Sequence, residues 1–193
     1  TITISSPVTN PTNSPFTATF TFSETITDFV IGDITLVNAT ASNFTSSNSS
    51  VYTALISPTS DGTVTINVAA NVANDTATNG NILSNQLTTV YDNSPPSVPQ
   101  ILNVDSYTCA KSTTITADNT LVFIGSSEPN TKIEVIINNV SVGTTTALSN
   151  GSWNFDHTSV TLSDGTYNVK AKATDASGNV SADSSLFIIT VST

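Results

Sequence analysis

Cationic residues are nearly absent from this 193-residue chain. It has four lysines (Lys111, Lys132, Lys170, Lys172), no arginine and one histidine against fourteen acids, for a formal net charge of -10. Nucleic acids and anionic membranes both require a cationic partner surface, so neither is expected as a partner. Charge of either sign is scarce, at 9% of residues, so Thr, Ser and Asn must cover most of the surface. That composition gives solubility without ion pairs, and threonine adds strand propensity; it suits an extracellular module. Cys109 is the only cysteine, so no intramolecular disulfide can form, and a buried, inert thiol is expected there. Methionine is missing altogether, and no basic-then-apolar leader opens the chain. The expectation is an excised internal segment of a longer exported protein, behaving as a monomer. No apolar run is long enough to span a bilayer, so no membrane insertion is expected.

What the chain has in abundance is alternation. Phe16, Ala18, Phe20 and Phe22 alternate with Thr, and Val64, Ile66, Val68 and Ala70 lie in a second such run. Tyr167, Val169, Ala171 and Ala173 alternate with Asn168, Lys170, Lys172 and Thr174. A period of two marks half-buried strands. Turn signals fall between such runs: Asp61-Gly62, Asn79-Gly80, Asn138-Asn139, Asn150-Gly151, Asp164-Gly165 and Ser177-Gly178. No helical period is sustained, so the expectation is an all-β chain of sandwiches or barrels. Pro95, Pro96 and Pro99 fix φ within a short stretch that resists helix and central strand alike. The domains are therefore expected at residues 1–92 and 99–193, with 93–98 as a stiff linker.

A weak internal repeat ties the halves together. Phe20 to Glu24 is echoed by Phe123 to Glu128, and Asp61-Gly62-Thr63 by Asp164-Gly165-Thr166. Asp75 and Asn79 are echoed by Asp175 and Asn179, at offsets of 104, 103 and 100 residues along the three pairs. The runs Asn150-Gly151-Ser152-Trp153, Leu162-Ser163-Asp164-Gly165-Thr166-Tyr167 and Ala173-Thr174-Asp175-Ala176-Ser177-Gly178-Asn179-Val180-Ser181 closely resemble the bacterial Ig-like repeats of large adhesins. The first half resembles a sister family through Ser23-Glu24, Phe29 to Ile34 with Asp33, and Asp61 to Asn79, although Asp75-Thr76-Ala77-Thr78-Asn79 lacks the glycine of its counterpart. The resemblance implies two tandem Ig-like Greek-key β-sandwiches. It also implies neighbouring modules of the same kind in a bacterial cell-surface or secreted protein, often stiffened by calcium.

A Ser-His-Asp site would have to use His157, which is expected instead as an exposed or capping residue, and one His with one Cys cannot build a zinc site. An enzyme is not expected. Calcium takes oxygen ligands, and Ig strand order would place Glu128, at the end of the second strand, beside the loop from Asp175 to Asn179. Asp92 in the connector, with Asp183 or Asp105 nearby, would complete a calcium site at the domain junction. Glu24, Asp75 and Asn79 form the equivalent cluster in the first domain. The bland reading is that Asp in these turns bonds only its own backbone, the role expected of Asp61 and Asp164. Trp153 and Tyr167 are expected to pack in the sandwich rather than form a sugar platform. The expected function is that of a spacer in an adhesin; the alternative is a module that binds a surface glycan or protein, with Asn38 to Ser50 as its polar surface.

Overall fold

A computed structural model describes residues 1–105 and 115–193; Cys109 and Lys111, and the expectation of a buried thiol, lie outside the described residues. The chain divides into two units, residues 1–94 and 95–193, each with its own hydrophobic core.

In the first unit the alternating runs become strands with one buried face. β2 (Phe16–Phe22) buries Phe16, Ala18, Phe20 and Phe22 and turns its threonines outward. It pairs with β1 (Ile2–Ser5) on one side and β5 (Val51–Pro58) on the other, and β4 (Ala39–Asn48) closes that sheet beyond β5. The facing sheet has β6 (Gly62–Val68) between β3 (Ile34–Val37) and β7 (Leu87–Tyr91). These are the ABED and CFG sheets of the constant-type immunoglobulin sandwich. Phe22, Phe29, Phe44 and Tyr52 fill one end of the core with ring centroids 5.0 to 5.8 Å apart, mostly edge to face. The Tyr52 hydroxyl donates to the Ile26 carbonyl.

The second unit keeps this plan with one strand moved. β8 (Gln100–Asp105), β10 (Val122–Ser126) and β13 (Ser152–Asp156) form the smaller sheet, in the order β13-β10-β8. The larger sheet runs β12 (Val140–Thr146), β11 (Lys132–Ile137), β14 (Gly165–Thr174), β15 (Phe187–Val191) and β9 (Ile115–Thr116). The turn decides where β12 goes. Asn138 and Asn139, with φ of 51° and 66°, make a two-residue loop between β11 and β12. A loop with both residues at positive φ matches the strand twist and folds a strand straight back onto its predecessor. In the first unit, the single residue Asn38 (φ 59°) separates β3 from β4, and the chain crosses to the other sheet.

Two core details follow from glycine and tryptophan. Trp153 is 2% exposed and lies against Gly125, where an added Cβ would fall 2.1 Å from the indole ring and 2.2 Å from the Gln100 carbonyl oxygen. Trp153 is thus a core residue, as expected. Its Nε1 is the one buried side-chain polar atom among the described residues with no partner. His157 is not exposed but 7% accessible, stacked on Phe155 at 5.9 Å. Tyr167 donates its hydroxyl to the Ser163 carbonyl 2.8 Å away, the local hydrogen bond of a tyrosine corner. No helix among the described residues is long and apolar enough to cross a membrane.

Candidate functional site

Each unit has a polar loop joining its last two strands, β6 to β7 in the first and β14 to β15 in the second, and the two loops are built alike. In the first, the Asp75 amide donates to the Asn79 carbonyl and the Thr78 amide to the Asp75 carbonyl. The Asp75 carboxylate accepts from the amides of Ala77 and Asn79 and from the Asn79 side chain. In the second, Asp175 and Asn179 make the same backbone pair, Gly178 donates to the Asp175 carbonyl, and Asp175 accepts from the Asn179 amide and side chain at 2.9 Å each. The glycine missing from the first loop does not change its path. Thr78 takes the left-handed backbone (φ 67°) that Gly178 takes with φ 91°, at the strain a β-branched residue carries there. The Asn79 side-chain amide, then its backbone amide, hold the Asp75 carboxyl below the usual carboxylate range.

One further acid reaches each loop. Glu24, just past the end of β2, lies close enough to Asp75 to influence its carboxyl. Glu128, just past the end of β10, faces Asp175 closely enough for repulsion between the two carboxylates to raise its pKa. Ser97 outweighs that repulsion: its hydroxyl, then its amide, donate to Glu128, the amide at 2.8 Å, and the carboxyl stays below its ordinary range. The structure therefore brings together Glu128 with Asp175 and Asn179, and Glu24 with Asp75 and Asn79.

The remaining three residues sit elsewhere. Asp183 is held by Lys170 at 3.1 Å and Lys172 at 3.3 Å, so two cations already compensate it. Asp105 ends β8, and its backbone pairs with Val122, at the opposite end of β10 from Glu128. A strand that starts beside the loop must end at the far pole. Asp92 belongs to the first unit, past the end of β7, where it accepts from the Ser94 amide at 3.0 Å. Among the described residues, no group of three or more His, Cys, Asp or Glu side chains is arranged to hold a metal ion. Asp75, Asp175 and Glu128 already accept hydrogen bonds through their carboxylate oxygens.

Sequence reasoning undervalued Asp61 and Asp164. They do more than form turns: each reaches past the end of the last strand of its unit. Asp61 accepts from the Asn93 amide at 2.8 Å and from the Ser94 hydroxyl. Asp164 accepts from the Thr193 amide at 3.0 Å and hydroxyl at 2.9 Å. The Ser94 hydroxyl, then the Asn93 amide, lower the Asp61 pKa, and the Thr193 amide and hydroxyl do the same for Asp164. A second missed set is buried. The Ser84 hydroxyl accepts from the Val68 amide, and those of Ser181 and Ser184 accept from Ala173 and Ala171. The signal for the acids was there, since both precede a glycine at the same place in the repeat.

Residues 94–193 match a family model described as a bacterial Ig-like domain, and residues 1–91 match a second family of the same description. No curated protein matches the chain. Among solved structures, the fibronectin(III)-like modules of Clostridium thermocellum CbhA are 13% identical with a TM-score of 0.50, the match covering 99% of this chain and 94% of that one. The Yersinia pseudotuberculosis adhesin InvE is 16% identical with a TM-score of 0.37, over 100% and 58% of the respective chains. A 1.5-MDa bacterial ice-binding adhesin is 18% identical with a TM-score of 0.41, over 98% and 63%. At these identities the CbhA likeness speaks to the fold alone. The chain belongs to the bacterial Ig-like domains, two of which it carries in tandem.

Proposed function

We propose that the chain is a spacer segment of a large bacterial cell-surface or secreted adhesin, non-catalytic, its task being to hold other modules apart. One observation carries this reading: the polar framework is repeated while the surfaces are not. The strand-exit acids Asp61 and Asp164, the loops of Asp75 and Asp175, and the neighbouring acids Glu24 and Glu128 recur in both units. The outward residues of β6 are Thr63, Thr65 and Asn67, whereas its counterpart β14 turns out Asn168, Lys170 and Lys172. A function carried by one binding face would favour a face; a function carried by serial construction favours the framework. Its partners are then neighbouring Ig-like modules, on the outside of the cell.

An array of surface glycans and matrix proteins, probed with the two-module chain, tests the reading. No saturable binding is expected; micromolar binding lost on substitution of Asn43 or Ser46 of β4 would favour a binding module instead. Calcium belongs to the same proposal. The acid pairs Glu128–Asp175 and Glu24–Asp75 are where a divalent ion would relieve carboxylate repulsion. Melting in calcium and in excess chelator should differ by several degrees, and superimposable curves would remove the ion while leaving the spacer.

A further inference from the structure

We propose that Asp61 and Glu128 fasten the connector between the modules from its two ends, and that they do so without a metal ion. The backbone donors of residues 93 to 97 can be followed one by one. The Asn93 amide goes to Asp61, the Ser94 amide to Asp92 and the Ser97 amide to Glu128. Pro95 and Pro96 have no N–H to place, and their rings fix φ. Every backbone donor of this stretch therefore ends on a carboxylate, an unusual accounting for exposed chain, which ordinarily gives its amides to water. Asp61 is part of the first unit and Glu128 of the second, so each module holds its own end.

The hold at Asp61 is a feature of the module rather than an accident of the connector, because Asp164 repeats it on Thr193. Both acids sit before a glycine with a backbone that side chains rarely adopt, Gly62 at φ 128° and Gly165 at φ 156°. That turn brings the carboxylate alongside the departing last strand. The first residue of β6, Gly62, pairs with Tyr91, and the first of β14, Gly165, with Val191, so in each unit the caught amide, Asn93 or Thr193, lies two residues beyond the glycine's partner. A charge-assisted hydrogen bond is stronger than a neutral one, and here a hydroxyl joins the amide on the same carboxylate. The proposal stands whether the modules act as a spacer or as a binder.

Amide hydrogen exchange on the whole two-module chain tests it. Asp61→Ala is expected to speed exchange of the Asn93 amide roughly tenfold, and Glu128→Ala that of Ser97, each leaving the other end unchanged. Asp61→Asn and Glu128→Gln keep an acceptor oxygen and should retain most of the protection. Core amides such as Val64 and Val135 report that the fold is intact. Should an alanine variant unfold, Ser94→Ala removes only the hydroxyl partner of Asp61 and is expected to speed Asn93 exchange several-fold. Excess chelator should leave the Asn93 and Ser97 rates unchanged, whatever it does to the core amides. Wild-type exchange rates in the alanine variants, or protection in the wild type that vanishes with chelator, would overturn the proposal.

Discussion

At the scale of single residues, the two loops of identical path make an internal control. Thr78 and Gly178 occupy the same left-handed position, one with a branched Cβ and one with none. A β-branched residue there is strained by about 1–2 kcal/mol, partly offset by the lower conformational entropy of an unfolded threonine relative to glycine. Thr78→Gly should therefore stabilise the first unit by about 1 kcal/mol, seen as slower exchange of its core amides or a higher melting temperature. The position could not be assigned from sequence, because the missing glycine argued against a shared geometry. The aspartate and asparagine that define the loop were legible, since both survive at one offset. Gly125 illustrates the opposite limit: its conversion to any other residue must displace Trp153 or the Gln100 backbone, yet nothing next to it in sequence names a tryptophan 28 residues later.

At the scale of elements, the repeat loses three residues between its strand-opening Asp-Gly turn and its loop, and the structure shows where. β14 has ten residues and β6 only seven; after Val68 the first unit makes an irregular turn with Asn71 at φ 62°. That excursion leaves backbone groups that no neighbouring strand meets. Asn81 meets them, accepting from the amides of Val72 and Ala73 and donating to the carbonyls of Ala69 and Ile82. In the straighter second unit its counterpart is Ser181, which needs only the Ala173 amide and the Ala182 carbonyl. Asn81→Ala should cost about 2–3 kcal/mol by stranding two amides at a buried site, read from the denaturation midpoint of the first unit. Ser181→Ala should cost less. Strands and turns were readable because alternation and Asn-Asn or Asp-Gly pairs act locally. These props were not, since one buried Ser or Asn looks like any other in a chain so rich in both.

At the scale of the whole molecule, most of the acids lie in turns, in loops or at strand ends. Asp28, Asp61, Asp75, Glu128, Asp156, Asp164 and Asp183 all have carboxyls held below their ordinary range by donated hydrogen bonds or, for Asp183, by two lysines. A folded-state pKa below the unfolded one stabilises the fold above the unfolded value and is lost as pH falls toward the folded value. The melting temperature should accordingly be level from pH 7 to about 5 and fall below about pH 4, where unfolded carboxylates take up protons first. A protein stabilised by relief of its net negative charge would do the reverse and gain stability on acidification. Calorimetry across that range separates the two.

In both units the segment that follows the first strand crosses to lie parallel to the last: Thr12 bridges Tyr91, and β9 pairs with β15. The chain enters each sandwich at one end and leaves at the other, since Gln100 pairs with Ser126 while Val191 pairs with Gly165. Tension applied through the two ends of a module would therefore pull these parallel segments past one another, loading their hydrogen bonds in shear so that they share the load. Antiparallel terminal strands pulled from one end would part like a zipper, one bond at a time. Pull along the chain is thus the direction these sandwiches resist best.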